Sequence, residues 1–211
     1  MAYDLEEQES LDQLKAWWEK WGTATLSVIT VGCLAFAAYN GWNWYQRNQG
    51  AKATAAYVQL QNAYVQKDAK NIKSIADGLM KEYPKHVFAS LAALMKASDA
   101  QQSGDLETAR SALNWVITSG QPEYQVVARV RLAGVELDAK KPEVALQVIE
   151  AAQPLAEQKA LVEDRMGDVY YALGRIEDAR KVWQQAMQDD RSDGSILPLV
   201  SLKLQALPPQ K

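Results

Sequence analysis

The chain of 211 residues has few of the side chains that usually build active sites, since it contains one cysteine, Cys33, and one histidine, His86. A single cysteine cannot form an internal disulfide, and these two residues are too few for a Cys/His zinc site. No glycine-rich phosphate loop, G-x-G-x-x-G motif or G-x-S-x-G nucleophile elbow occurs either. We therefore predict that the protein is not an enzyme and has no catalytic, cofactor-binding or metal-binding residues.

Charge is missing from one long stretch, because no Asp, Glu, Lys or Arg occurs between Lys20 and Arg47. The first 20 residues are net acidic, whereas acidic and basic residues are equal in number after residue 47. A neutral domain without a basic run does not neutralise phosphates, so the composition argues against nucleic acid as a partner.

The uncharged stretch, residues 21–46, has the length and pattern of a transmembrane helix. About 20 apolar residues cross the ~30 Å hydrocarbon core of a bilayer, and Trp and Tyr concentrate at its two interfaces. The stretch is apolar in its middle and aromatic at both ends, which predicts an anchor in the lipid bilayer. The predicted membrane-interface residues are Trp17, Trp18, Trp21, Trp42, Trp44 and Tyr45.

Two other interpretations of this stretch remain open. Ala35-Phe36-Ala37 resembles the small-residue pattern before a signal-peptidase site, and an apolar helix can also be buried in a soluble domain. A secretory leader begins with a short positive segment, whereas residues 1–20 are net negative, which favours a permanent anchor. Two lysines precede the stretch, and Arg47 and Lys52 follow it, so the positive-inside count leaves the orientation open.

Residues 1–20 form an acidic tail with a helical pattern. Ser10-Leu11-Asp12-Gln13 matches a capping box, which predicts a helix that begins at Ser10. The tail is either a separate amphipathic helix on the membrane surface or the first part of one helix that continues into the span. The apolar residues that share one face of the helix are Leu11, Leu14, Trp18 and Trp21.

After residue 47 the pattern is helical, and it contains an internal repeat of about 34 residues. A small alanine recurs at Ala109, Ala145 and Ala179, at spacings of 36 and 34 residues. A position before each alanine suits a left-handed residue that ends the preceding helix, and a large apolar residue follows each alanine by four positions. The helix-ending residues are Gly104, Lys140 and Gly174, and the large apolar residues are Leu113, Ile149 and Trp183.

Helix pairs of this kind cannot bury their apolar faces alone, so they stack into a solenoid. The last copy, from Met166 to Ala186, closely resembles the tetratricopeptide pattern, a weaker copy surrounds Ala76, and the apolar segment from Leu197 to Leu207 predicts a capping helix. The predicted fold class is all-α: a single N-terminal transmembrane helix followed by an α-solenoid of degenerate tetratricopeptide-like helix pairs.

The first helices of stacked pairs line a concave surface, which is the usual binding surface of a solenoid. One face of each first helix is predicted to form a largely apolar groove that is acidic at one end. Such a groove suits an extended polypeptide or a partner helix, although each of these side chains can instead belong to the core. The predicted groove residues are Leu91, Leu94, Gln101, Val127, Val130, Leu137, Leu161, Asp168 and Tyr171.

The order of these segments resembles a known family. The chain has an acidic leader, then an apolar span, then degenerate repeats. The leader runs Glu6-Glu7-Gln8-Glu9 and then Leu14-Lys15-Ala16-Trp17-Trp18, and the span ends in Gly41-Trp42-Asn43-Trp44-Tyr45. This arrangement resembles the ancillary subunit of the bacterial SecYEG translocon. The resemblance implies a single-pass inner-membrane protein with a cytoplasmic N-terminus and a periplasmic repeat domain. It also implies two partners, the SecYEG translocon and a membrane-anchored periplasmic chaperone of the prolyl-isomerase type.

The sequence therefore predicts a non-enzymatic Sec translocon accessory with three segments. These are an acidic cytoplasmic tail (1–20), a transmembrane anchor (21–46) and a tetratricopeptide-like domain (47–211) with a C-terminal capping helix. The domain is expected to present its surface to unfolded secretory polypeptides, to the chaperone, or to both. A membrane-anchored scaffold for another envelope assembly complex is the alternative, and an exposed apolar groove would also favour a homodimer of the isolated domain.

Overall fold

Helices form almost all of the chain in the computed structural model, which describes residues 2–188 and 195–208, with side chains from residue 9 onward. The all-α fold class predicted from the sequence is confirmed within these ranges. The helices are α1 (Ala2–Val65), α2 (Ala69–Glu82), α3 (Val87–Gln102), α4 (Leu106–Ser119), α5 (Pro122–Asp138), α6 (Pro142–Glu150), α7 (Lys159–Ala172), α8 (Ile176–Gln188) and α9 (Leu197–Gln205), with a 3₁₀ turn at Ala156–Gln158.

Helix α1 runs without a break from Ala2 to Val65, so no helix begins at Ser10. The capping-box prediction was therefore wrong, and the alternative of one helix that continues through the uncharged stretch is observed. The reason is that good helix formers precede Ser10, and a capping box begins a helix only where the residues before it leave the helical conformation. The chain divides into two compact units, Met1–Ala51 and Lys52–Lys211, while the segment boundaries predicted at residues 20 and 46 stay predictions.

In the first unit three hydroxyl groups of the uncharged stretch bond to the backbone of their own helix. The side chains of Thr25, Ser27 and Thr30 donate to backbone carbonyls four residues earlier, at 2.8–3.0 Å. A hydroxyl group that is satisfied within its own helix needs no water. These three side chains are therefore compatible with a hydrocarbon surrounding.

The second unit stacks its helices in chain order: the end of α1 shares a core cluster with α2, and α3–α4, α5–α6 and α7–α8 follow as pairs. Four core clusters lie along the stack, and each is shared by three or more successive helices. This is the packing expected of a solenoid, because no pair has enough apolar surface to form a core alone. Buried representatives of the four clusters, in chain order, are Leu60, Leu113, Ile149 and Trp183.

The repeat positions predicted from the sequence behave alike in the structure. The alanines Ala76, Ala109, Ala145 and Ala179 are fully buried, and the large residues after the last three are at most 3% exposed. The three predicted helix-ending positions have positive φ: Gly104 (80°), Lys140 (59°) and Gly174 (74°). Lys67, which the sequence did not single out, also has a positive φ of 56°, before α2.

Pro142 and His86 both lie at the starts of helices. Pro142 starts α6, where its missing N–H is not needed. His86 lies in the turn before α3, and its Nδ1 accepts a hydrogen bond from the backbone N–H of Phe88 at 3.3 Å. The only histidine is thus a helix cap.

The C-terminal helix α9 covers the end of the stack, as predicted. Val200 is fully buried and Leu207 is 8% exposed, and both pack with Ala160 of α7 and Trp183 of α8. The opposite face of α9 is open, with Leu199 at 51% and Leu202 at 63% exposure.

Candidate binding surface

The nine predicted groove residues differ widely in exposure. Leu94 and Val130 are 5% exposed and belong to core clusters, so a partner reaches them only if the core opens. Tyr171, at 53%, is exposed over more than half of its surface. The other apolar members, Leu91, Val127, Leu137 and Leu161, are partly buried.

Polar bridges join neighbouring first helices along the stack. The hydroxyls of Tyr64 and Ser98 lie 3.1 Å apart between α1 and α3. Between α3 and α5, the Gln101 amide donates to Asp138 Oδ2 at 2.6 Å, and Arg131 Nη1 donates to the Leu94 carbonyl at 3.4 Å. The surface over these helices is therefore more polar than the sequence predicted, because long polar side chains reach across from one first helix to the next.

The acidic end of this surface is occupied by a lysine from α9. Asp164 and Asp168 lie one turn apart on α7, and the Nζ atom of Lys203 is 2.6 Å from Asp164 Oδ1 and 2.7 Å from Asp168 Oδ1. The side chains of the three residues are 9%, 20% and 20% exposed, respectively. The carboxylate of Asp168, predicted to meet a partner, thus meets the chain's own C-terminal helix.

A second cation borders the same carboxylates. Arg165 Nη1 lies 3.0 Å from Asp168 Oδ2, and its guanidinium extends over Gly134, where an added Cβ would come within 3.5 Å of the Arg165 Cζ atom. Burial raises the pKa of the Asp168 carboxyl, and the charge of Asp164 adds to this rise, while Lys203 and Arg165 oppose it. Two acids and two bases therefore share one partly buried network.

Trp183 of α8 forms the wall of this site. Its Nε1 donates to the Asp164 carbonyl at 3.0 Å, and its ring centroid lies 5.7 Å from Lys203 Nζ and 6.2 Å from the ring of Tyr171. An ammonium within about 6 Å of an aromatic ring gains a cation–π attraction. The site is thus an acidic slot with an aromatic side, and we call Asp164, Asp168 and Trp183 the α7–α8 slot.

The other buried carboxylate of the domain has a structural environment. Glu136, 3% exposed, accepts two hydrogen bonds from Arg110, at 2.6 Å from Nε and 3.0 Å from Nη2, and Arg110 also bonds to Glu107. A carboxylate held in this bidentate way is already fully engaged. In the described ranges, no three His, Cys, Asp or Glu side chains are grouped to hold a metal ion.

The six predicted membrane-interface residues are exposed on α1. Their exposures range from 47% for Trp17 to 69% for Trp44. Apolar side chains between them are also exposed, including Val28 at 73% and Phe36 at 70%. Within the described residues, α1 is the one helix long and apolar enough to cross a membrane by length and composition.

Comparison with known proteins identifies a family that shares this order of segments. Residues 15–209 match a family model described as a tetratricopeptide repeat-like domain. A protein of Aggregatibacter actinomycetemcomitans named ancillary SecYEG translocon subunit is 31% identical over 90% of this chain and 92% of its own length. The chain belongs to the ancillary SecYEG translocon subunit family.

Other members of the family match over similar lengths. The Neisseria gonorrhoeae protein of the same name is 29% identical over 98% of this chain and all of its own length. The Haemophilus influenzae protein is 28% identical over 89% of this chain and 92% of its own length. The similarity therefore extends across both the apolar segment and the repeats.

Sequence reasoning missed Lys203, which completes the slot. It placed Asp168 on the predicted groove but treated α9 only as a cover. A signal was present, since Lys203 is the single charged residue in the otherwise uncharged α9. The close packing of Trp183 against Gly167, the second residue of the last repeat copy, was also missed.

Proposed function

We propose that this protein is a single-pass inner-membrane subunit that accompanies the Sec translocon and acts without enzymatic chemistry. The observation that carries the proposal is the full-length similarity to ancillary SecYEG translocon subunits, which includes the anchor as well as the repeats. A repeat domain alone would share only its fold with many proteins, because solenoids serve many unrelated partners.

The anchor is the exposed apolar part of α1. Its apolar side chains would be costly in water, whereas in a bilayer they meet hydrocarbon and the flanking Trp residues lie at the interfaces. In the proposed orientation the acidic N-terminal segment is cytoplasmic and the unit Lys52–Lys211 lies in the periplasm. The domain is then held next to the exit of the channel.

The repeat domain supplies a binding surface without supplying chemistry. Exposed Tyr171 and the polar side chains that bridge the first helices lie on this surface, and their polar groups can offer hydrogen bonds to an extended backbone. The proposed ligands are translocating secretory chains and a membrane-anchored periplasmic chaperone of the prolyl-isomerase type. A chaperone bound to this domain would meet each chain as it emerges.

Affinity purification from native membranes tests the proposal. The full-length chain is extracted in mild detergent and compared with a control in which residues 21–46 are replaced by an unrelated single span of equal length. We expect the channel subunits to co-purify with the native chain and to be depleted in the control, while the chaperone is retained in both. Recovery of a different envelope complex in place of the channel would support the scaffold alternative instead.

A further inference from the structure

The α7–α8 slot is built by the repeats and not by the helix that fills it. Trp183 is fixed to α7 by its hydrogen bond to the Asp164 carbonyl, and Arg165 of α7 holds Asp168. From α9, the ammonium group of Lys203 reaches both carboxylates, and Val200 packs in the same core cluster as Trp183. The two carboxylates and the indole hydrogen bond belong to α7 and α8, so none of them needs a group from α9.

An empty slot would strongly favour another cation. Among the described residues, Asp164 has no cationic partner besides Lys203, and with α9 in place its side chain is 9% exposed. Without Lys203, Asp164 and Asp168 would repel each other one turn apart, with Arg165 bonded to Asp168, and a second ammonium would relieve this repulsion. The indole ring adds cation–π attraction for the same kind of group.

Helix α9 is held by few groups. It has nine residues, and an isolated helix of that length is marginal in water. Val200 is its one fully buried side chain, and Ile196 and Leu204 pack partly buried in the same cluster. After the helix, Leu207 is buried and the Pro208 carbonyl accepts a hydrogen bond from Arg180 of α8. The two ion pairs of Lys203 are therefore important for the attachment of α9 to α7.

We propose that α9 is a cis-acting cover, and that the α7–α8 slot takes a lysine-bearing helical segment of a partner when α9 is displaced. Lys203 occupies the place of the partner's lysine, so binding in trans is a competition between two similar ligands. The idea deepens the proposed function, because it places one partner-binding position on the concave face of the last repeat. The proposed occupant is helical and carries a lysine because the segment that fills the slot within the chain, α9 with Lys203, has both properties.

The test uses the full-length chain in detergent micelles and a labelled peptide with the sequence of residues 197–208. In the Lys203→Glu variant three acids meet at the slot, so amide hydrogen exchange in α9 should accelerate at least about tenfold. The variant should also bind the peptide at least about tenfold more tightly than the native chain, whose own α9 competes. Exposed Lys73 on α2 supplies the control, Lys73→Glu, which should change neither readout.

The peptide itself supplies the second arm. A version in which its lysine is replaced by methionine should bind the Lys203→Glu chain at least about tenfold more weakly. Equal binding of both peptides, or unchanged exchange in α9 of Lys203→Glu, would overturn the proposal. If Lys203→Glu does not fold, saturating peptide on the native chain should speed exchange in α9, and no acceleration there would equally overturn it. None of these measurements involves the channel. A result that overturns the role of α9 as a cover therefore leaves the proposed association with the translocon unaffected.

Discussion

Trp183 Nε1 and the backbone carbonyl of Asp164 are joined by a 3.0 Å hydrogen bond that links α8 to α7. The indole reaches this carbonyl only because residue 167 is glycine, since a Cβ there would lie 2.3 Å from Trp183 Nε1. One glycine therefore permits both the core packing of the last repeat and the aromatic wall of the slot.

Gly167→Ala should destabilise the domain by about 1–3 kcal/mol, because the added methyl group overpacks the contact with Trp183. Gly78→Ala on α2 is the matched control, since its Cβ would meet no atom within 4 Å. That substitution should stabilise by up to about 1 kcal/mol, the usual gain of Ala over Gly in a helix. Urea unfolding of both variants checks the prediction, and equal effects of the two would contradict it.

The cost of a left-handed backbone conformation between paired helices can be measured by introducing glycine at Lys140 and removing it at Gly174. Lys140 has φ 59° where the next repeat has Gly174 at 74°. Lys140→Gly should be neutral or stabilising by up to about 1 kcal/mol, because release of backbone strain offsets the entropy of glycine. Gly174→Ala should destabilise by about 1–2 kcal/mol for the same reason in reverse. Thermal unfolding that moved in the same direction for both would refute this account.

Arg110→Met should cost roughly 3 kcal/mol, because Glu136 would be left as a buried carboxylate without a cation. Glu107→Gln is the control, since Glu107 contacts the same arginine but its side chain is 85% exposed. It should cost less than about 1 kcal/mol. Denaturant midpoints of the two variants measure the difference, and similar losses would show that burial of Glu136 is not what matters.

Asp168 should make the stability of the domain depend on pH. Since burial raises its pKa in the folded state, the folded protein binds this proton more tightly than the unfolded chain. The stability of the native chain relative to Asp168→Asn should then fall as pH rises from the usual aspartate pKa, about 4, through the raised value. Urea unfolding between about pH 3.5 and 7 checks the slope, and a difference that grew with pH would have the wrong sign.

The orientation of the anchor can be tested with single cysteines in a Cys33→Ser background. Ser74→Cys on α2 and Gln13→Cys on α1 are both at exposed positions. In intact cells with a permeable outer membrane, an impermeant maleimide should label Ser74→Cys and should label Gln13→Cys only after lysis. The reverse pattern would place the repeat domain in the cytoplasm.

The sequence was most informative where a local pattern repeats. The buried alanines and the positive-φ positions of the helix pairs follow from chemistry within about ten neighbouring residues, so they were predictable. The uncharged stretch was similarly clear, because its length and flanking Trp residues are properties of one segment.

The binding surface was less predictable because it depends on contacts distant in sequence. Lys203 lies 39 residues after Asp164, and Arg131 lies 37 residues after Leu94, so no local pattern indicates which residue each cation contacts. The degree of burial also decides which predicted groove residues are available. Leu94 and Tyr171 share the same repeat pattern in sequence, yet one is in the core and the other is exposed.

The central claim is that α1 docks beside the Sec channel within the membrane. A photo-crosslinking amino acid at Leu34, exposed in the middle of the apolar stretch, tests it most directly in living cells. We expect crosslinks from position 34 to a channel subunit, and none to the channel from the same probe at exposed Ser111 on α4. Crosslinks from position 34 to lipid alone, or to a membrane protein outside the translocon, would contradict the account.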